Sequence, residues 1–499
     1  MRGRGEIGRR RRLKIAFPWS AGSSPAVRTS LLALALIGCR QTADTGPVVV
    51  SAIGSRPVLT DPTRRAMDTP TRLLIDAVAQ GLVRFDAAGQ IESGLAERWI
   101  VTDQGTSYIF RLREARWADG RAVTAEQVVA RLRRQLAPPS RNPLKPFLTA
   151  IDEIVVMTPQ VIEVRLSRPR PDLLKLFAQP EMAIARGTAP GSGPLRPVVG
   201  NLLRPVPDPG RVDPNRLDSV DAAEDVRLVG GRAALAVARF VAGKADLVAG
   251  GTFADWPLAQ AARPAATQLR VDPAVGLFGL AIVRREGFLA QPANRLAIAQ
   301  AIDRAAVTTA VAPLWLPDEQ LLPHQLDAAA PPLPPGWAGL SLEQRRATAR
   351  QRVVAWGRLV DLRIALPSGP GATRLWGQLA RSLLLIGITP QRVAMSEAAD
   401  LRLVDAVAPY DSARWYLATA CQPCGEEAQA AVDAARDAPT SAERAQRLTE
   451  ADAAVAADIP FIAIARPLRW SLVSPRLRAW QPNTRAWHPL NRLRIDPTS

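Results

Sequence analysis

Histidine and cysteine are scarce in this chain of 499 residues, which contains only two histidines and three cysteines. With His324 and His488 alone, there is little room for histidine acid–base chemistry or for a four-ligand zinc site. The sequence also lacks a Gly-x-Ser-x-Gly elbow and a phosphate-binding loop. We therefore expect a protein that is not an enzyme and that needs no cofactor and no bound metal.

Lysine is also rare, so arginine supplies most of the formal net charge of +18. Eight basic residues lie in residues 1–38, and removal of this segment leaves 56 basic and 45 acidic residues, a formal charge of +11. The remaining arginines are scattered singly among apolar residues, without a zinc-finger spacing or an RNA-recognition signature. We expect no nucleic-acid partner. We interpret the excess of basic residues as a positive surface that faces an anionic membrane.

The amino terminus has the pattern of an export signal that ends at a lipid-attachment cysteine. Basic residues 9–12 precede a short apolar run, residues 31–38, which is too short to span a bilayer. Leu36-Ile37-Gly38-Cys39 resembles the bacterial lipobox. We expect residues 1–38 to be removed as a lipoprotein signal peptide and Cys39 to carry lipid. An ordinary signal peptide, or a chance cysteine after an apolar run, is the alternative.

The two other cysteines form the motif Cys421-Gln422-Pro423-Cys424. A Cys-x-x-Cys motif can be redox-active, metal-binding or a small structural disulfide. No second cysteine pair accompanies it, and no thioredoxin-like β-α-β pattern surrounds it. We favour a disulfide that staples a loop in an oxidising compartment over a pair of free thiols.

Alternating strand and helix patterns indicate an α/β protein. An amphipathic helix is predicted from Thr71 towards Phe85, and alternation of apolar residues predicts a strand over residues 107–113. Thr124 with Gln127 three residues later is a capping box, which places the start of a helix at Ala125. Two further strands are predicted at residues 153–157 and 161–166. We find no internal repeat.

A series of short motifs, in order and in register, gives the chain a family resemblance. The motifs are Gly81-Leu82-Val83-Arg84-Phe85-Asp86, Gly94-Leu95-Ala96-Glu97-Arg98-Trp99, Trp117-Ala118-Asp119-Gly120, Gly243-Lys244-Ala245-Asp246 and Ala301-Ile302-Asp303-Arg304. Together they resemble extracellular solute-binding protein family 5, the oligopeptide- and dipeptide-binding subunits of ABC importers. The resemblance extends over almost the whole chain after the signal.

The resemblance implies an α/β fold of the periplasmic-binding-protein type, with two hinged lobes and an additional inserted domain. We expect lobe I to combine residues 39–69, 185–270 and 468–499. The inserted domain would be residues 70–184, and lobe II would be residues 271–467. Chain crossings between the lobes would form the hinge.

The resemblance also implies a function and partners. We expect a monomeric lipoprotein in the periplasm, anchored by lipid to the cell envelope. It would capture peptides or similar small solutes between its lobes and deliver them to an inner-membrane ABC permease. The alternative is an envelope lipoprotein of the same fold that binds a non-peptide solute or acts as a sensor.

A peptide ammonium taken from water needs a carboxylate partner, and family members supply an aspartate shortly after a tryptophan. On this resemblance Asp405 aligns best, and Asp411 is the second candidate. The usual aromatic neighbours are missing, because Arg402 stands at the tryptophan position and Ala406 where a tyrosine is common. A strand-end aspartate without a ligand role is the alternative for Asp405.

Overall fold

The computed structural model describes residues 46–206, 224–324 and 326–494 of the chain. The predicted signal peptide and Cys39 lie outside these residues. Within the described residues, no helix combines the length and the apolar character needed to cross a membrane.

The strands of the described residues form four sheets. They are β1 (Val48–Ile53), β2 (Val83–Phe85), β3 (Ile91–Ser93), β4 (Ala96–Thr102), β5 (Ser107–Leu112), β6 (Ile151–Thr158), β7 (Val161–Leu166), β8 (Leu195–Pro197), β9 (Leu202–Pro205), β10 (Val226–Gly231), β11 (Leu247–Thr252), β12 (Leu269–Asp272), β13 (Gly276–Ile282), β14 (Val360–Leu366), β15 (Ile388–Ala394), β16 (Leu401–Val407), β17 (Phe461–Ala465) and β18 (Arg469–Val473).

The α-helices of the described residues flank these sheets. They are α1 (Thr69–Val78), α2 (Ala125–Leu136), α3 (Leu173–Phe177), α4 (Ala233–Val241), α5 (Trp256–Ala261), α6 (Pro292–Ala301), α7 (Arg304–Val311), α8 (Leu342–Trp356), α9 (Pro370–Leu384), α10 (Ala413–Ala420), α11 (Glu426–Asp437) and α12 (Ser441–Asp458).

Two larger sheets are connected by two passages of the chain. The seven-stranded sheet has the order β12-β18-β11-β1-β10-β9-β8, and the five-stranded sheet has the order β15-β14-β16-β13-β17. The chain passes from the first to the second after β12, and it returns between β17 and β18. Both sheets mix parallel and antiparallel pairs. In the first, β1 pairs parallel with β10 and β11 antiparallel with β18; in the second, β14 pairs parallel with β15 and β13 antiparallel with β16. The predicted α/β class is confirmed.

A four-stranded antiparallel sheet, β4-β5-β7-β6, lies in the part of the chain predicted as an inserted domain. The predicted strands at 107–113, 153–157 and 161–166 are confirmed as β5, β6 and β7, with shifts at their ends. Tyr108 and Phe110 are buried on one face of β5, as the alternation requires. The predicted capping box is also confirmed. The side chain of Thr124 accepts a hydrogen bond from the backbone N–H of Gln127, and the side chain of Gln127 accepts one from the backbone N–H of Thr124.

The predicted helix from Thr71 towards Phe85 is too long. α1 ends at Val78 and the chain turns into the short strand β2. A close approach at Gly81 explains this, because a Cβ atom there would lie 2.4 Å from the carbonyl oxygen of Phe177. The residue bounds of the lobes and of the inserted domain stay a prediction.

Candidate functional site

The segment that follows β16, residues 408–412, is the place where three distant parts of the chain meet. Gln179, which follows α3, donates a hydrogen bond of 2.8 Å from its Nε2 to the carbonyl oxygen of Pro409. Arg485, from the carboxyl-terminal segment, donates one of 2.7 Å from its Nη1 to the carbonyl oxygen of Ala408. We call residues 408–412, with their partners from these two other parts, the junction.

Asp411 is the charged centre of the junction. Lys175 of α3 lies 2.6 Å from it, measured from Nζ to Oδ2, and Arg485 forms a second ion pair with Oδ1. Burial opposes ionisation, but the hydrogen bond from Lys175 and the charge of Arg485 hold the pKa of Asp411 below its ordinary value. The carboxylate is therefore ionised at neutral pH, and 43% of its side chain remains exposed.

Asp405 lies on β16 opposite Phe278 of β13, in the five-stranded sheet. Its Oδ1 accepts a hydrogen bond of 2.7 Å from Nη1 of Arg469, the first residue of β18 in the seven-stranded sheet. Each side chain is only 15% exposed. Burial raises the pKa of Asp405, and the charge of Arg469 offsets this in part. The ion pair thus joins the two sheets beside the passage from β17 to β18.

A second contact links the four-stranded-sheet region to helix α11. Arg168 donates from Nε to the carbonyl oxygen of Arg436 at 2.8 Å, and its Nη2 lies 3.0 Å from Oδ1 of Asp437. Arg170 donates to the same carbonyl oxygen. Cations are favourable at a helix carboxyl terminus, where backbone carbonyl groups lack partners within the helix. The two arginines therefore hold the end of α11 against the region that precedes α3.

Buried charges surround the junction on the side of α12. Arg444 lies 2.7 Å from Asp327, measured from Nη1 to Oδ2, and donates a hydrogen bond of 2.7 Å to Oγ of Ser412. Burial, together with the charge of Asp327, raises the pKa of Asp172 to about 6. Burial also raises the pKa of Tyr410 to about 12. The junction is thus a network of alternating charges rather than a single isolated carboxylate.

Cys421 and Cys424 form a disulfide in the structure, with their Cα atoms 4.8 Å apart. The pair lies in the short connection between α10 and α11. That the disulfide forms in the exported protein stays a prediction. Within the described residues, no group of three or more histidine, cysteine, aspartate or glutamate side chains could hold a metal ion.

The structure does not bring Asp405 and Asp411 together as one binding group, since Asp405 pairs with Arg469 whereas Asp411 has two cations of its own. Sequence reasoning missed Lys175, Arg469 and Arg485 as their partners. Lys175 is 236 residues from Asp411, and Arg469 is 64 residues from Asp405. No local motif marks these three residues, and an alignment that tracked the aspartates and the cations together would have been needed to find them.

Comparison with known proteins finds similarity to one family of binding proteins over part of the chain. Residues 90–201 match the bacterial extracellular solute-binding proteins, family 5 Middle. The chain is 36% identical over 95 residues to the probable deoxycholate-binding periplasmic protein YgiS of Escherichia coli strain K12, covering 19% of this chain and 18% of that protein. It is 29% identical over 142 residues to the glutathione-binding protein GsiB of Shigella flexneri, covering 28% of each.

The fold agrees over a much longer part of the chain. The murein tripeptide binding protein MppA of Escherichia coli superposes with a TM-score of 0.76 at 19% identity, over 90% of this chain and 98% of that one. The sequence matches span less than a third of the length of the curated relatives. The fold confirms the predicted two-lobed periplasmic-binding-protein architecture. Residues 90–201 thus match family 5 of the bacterial extracellular solute-binding proteins, the family that the motifs resemble, and the fold agrees over 90% of the chain.

Proposed function

We propose that this protein is the solute-binding component of an ABC importer and that it captures a peptide, or a similar small solute, at the junction. The observation that carries the proposal is the position of Asp411, which joins the α3 region to the carboxyl-terminal segment. A solute that replaced or extended these contacts would draw together parts of the chain that are distant in sequence. Such closure around a ligand is the usual way in which two-lobed receptors work.

Asp411 is the better placed of the two candidate ligand residues. It is 43% exposed, whereas Asp405 is 15% exposed and already holds Arg469. A solute ammonium at Asp405 would have to displace an internal guanidinium, which would leave that cation partly buried without its partner. We propose Asp411 as the principal polar contact to the solute and Asp405 as a secondary one.

A peptide is the favoured solute because two relatives carry peptides in their names, one glutathione and the other a murein tripeptide. Backbone amides and charged ends are common to all peptides, so a receptor that binds them accepts many sequences. We propose that the protein has no catalytic role. We also propose that it is a monomer, anchored to the envelope through lipid on Cys39, and that it delivers its solute to an inner-membrane permease.

The proposal is tested by thermal unfolding in the presence of peptide pools. A ligand at about 100 times its dissociation constant stabilises the folded state by about 2.7 kcal/mol, so the melting temperature should rise. Acetylation removes the ammonium but keeps the backbone amides. Asp411→Asn should therefore weaken binding of free-amine peptides more than binding of acetylated peptides. Asp361→Asn makes the same charge change at an exposed position on β14 and serves as the control.

Equal weakening of both kinds of peptide would give Asp411 a structural role instead. If no peptide pool changes the melting temperature, peptide capture is wrong for this protein.

A non-peptide acidic solute is the second candidate. Both candidate carboxylates are already neutralised, and the junction supplies two cations, Lys175 and Arg485, to one carboxylate at Asp411. A solute carboxylate could share these two cations with Asp411. One relative is named for deoxycholate, an acidic solute. Stabilisation by deoxycholate below its micelle-forming concentration, without stabilisation by peptides, would favour this candidate and the sensor or scavenger role that goes with it.

A further inference from the structure

A small surface cavity lies between the loop after β1 and the end of α2, and it shares no residue with the junction. Its volume is about 320 Å³, which is at the small end of the range for ligand pockets. Arg64, Arg134 and Arg141 line it together with Thr63 and Ser140. We call this feature the arginine cavity.

The charge of the arginine cavity is only partly compensated. Arg134 pairs with Asp61 at 3.1 Å, measured from Nη2 to Oδ2. Burial opposes ionisation of Asp61, but hydrogen bonds from Thr63 and the charges of Arg134 and Arg64 hold its pKa below the ordinary value. Within the described residues, the side chains of Arg64 and Arg141 make no hydrogen bond and no ion pair. Two exposed cations are thus available to an anion beside one that is already paired.

A narrow extension continues the arginine cavity and shares Thr63 and Arg134 with it. Its volume of about 10 Å³ has room for about one water-sized group. Gln135 lines the extension and is only 5% exposed. Its Nε2 donates to the carbonyl oxygen of Ala183 at 3.1 Å, while its Oε1 has no hydrogen-bond partner among the described residues. A buried acceptor without a donor is unfavourable, and a ligand hydroxyl group would satisfy it.

We propose that the arginine cavity binds a phosphate ester that carries a hydroxyl group. The phosphoryl oxygens would accept hydrogen bonds from Arg64, Arg134 and Arg141, because the planar guanidinium matches phosphate geometry with two parallel N–H donors. The ester's hydroxyl group would enter the extension and donate to Oε1 of Gln135. A free polyol phosphate and the headgroup of phosphatidylglycerol share this chemistry. The proposal is independent of the function proposed for the junction.

The test uses the full chain carrying Cys39→Ser, so that a lipid anchor does not hold it to membranes. Isothermal titration calorimetry would compare inorganic phosphate with glycerol 3-phosphate. We expect saturable binding of both, with glycerol 3-phosphate binding more tightly. The double variant Arg64→Gln/Arg141→Gln should weaken both at least about tenfold, since it removes charged hydrogen bonds. These two residues are exposed and without side-chain partners among the described residues, so the variant should fold.

Arg358→Gln/Arg374→Gln, at exposed positions after α8 and on α9, controls for the loss of two positive charges and should leave binding unchanged. Gln135→Met should abolish the preference for glycerol 3-phosphate over inorganic phosphate while keeping binding of both. Unchanged preference in that variant would overturn the role of Gln135. Absence of saturable binding, or equal affinity in the double arginine variant, would overturn the site.

Vesicles distinguish the two sources of the phosphate ester. Co-sedimentation with phosphatidylglycerol vesicles, but not with phosphatidylcholine vesicles, supports a lipid headgroup if glycerol 3-phosphate competes. Binding of glycerol 3-phosphate without co-sedimentation supports a free ester. Co-sedimentation that neither the double arginine variant nor glycerol 3-phosphate reduces would mean unspecific attraction to a basic surface, and the proposal would then fail.

Discussion

The ion pair between Asp405 and Arg469 should be worth measurable free energy of unfolding, because both side chains are only 15% exposed. Asp405→Asn keeps the shape but removes the negative charge from a charge-assisted hydrogen bond of 2.7 Å, which costs about 1.5–3 kcal/mol, while Arg469 keeps its hydrogen bonds to the carbonyl oxygens of Asp405 and Leu468. Arg469→Gln leaves a buried carboxylate without a cation, and breaking a buried pair in this way costs about 3–5 kcal/mol. The double variant should cost no more than Arg469→Gln alone, because no charge is then left unpaired.

Urea unfolding followed by far-ultraviolet circular dichroism would give the four free energies of this double-mutant cycle. A coupling energy of about 1.5–3 kcal/mol is expected from the shared hydrogen bond. If instead the two single losses add in the double variant to within about 0.5 kcal/mol, the two side chains do not interact. The inference that this ion pair joins the two sheets would then be wrong.

The pH dependence of the same variants has a defined sign. Burial raises the pKa of Asp405 above its ordinary value of 3.8, so its contribution to stability is fully present below pH 3.8 and is lost as pH rises through the folded-state pKa. The wild-type protein should therefore gain stability relative to Asp405→Asn as pH falls from neutral towards 3.8. Asp411, whose pKa is lowered, should show the opposite trend against Asp411→Asn, with stability lost as pH falls below 3.8.

Three further predictions concern the anchor, the disulfide and a buried arginine. Cys39→Ser should release the protein from the membrane fraction, and retention there would contradict the lipobox. Thiol labelling under denaturing, non-reducing conditions should find neither Cys421 nor Cys424 free, and two reactive thiols or bound zinc would exclude the disulfide. Asp458→Asn should lower the free energy of unfolding by about 3–5 kcal/mol, because Arg295 is fully buried and pairs with Asp458 at 2.8 Å. A loss below about 1 kcal/mol in urea unfolding would show that the hydrogen bonds from Arg295 to backbone carbonyl groups are enough to stabilise its buried charge.

Local patterns predicted the elements whose signals lie within a few residues. The capping box of Thr124 and Gln127 fixed where α2 begins, and alternation of apolar residues predicted β5. The same reasoning extended α1 too far, because the close packing of Gly81 against the carbonyl oxygen of Phe177 involves residues almost one hundred positions apart. Periodicity carries no information about a contact of that kind.

In the candidate site, too, some features were predictable from the sequence and others depended on contacts between distant residues. The sequence alone predicted the family resemblance, the α/β class and the two candidate aspartates, because motifs in fixed order and the chemistry of a carboxylate are readable without coordinates. Only the tertiary structure decided that Asp405 faces Arg469 and that Asp411 lies between Lys175 and Arg485. A charge takes its role from the charges that folding brings within a few ångströms of it, and folding brought Arg469 and Lys175 from 64 and 236 residues away.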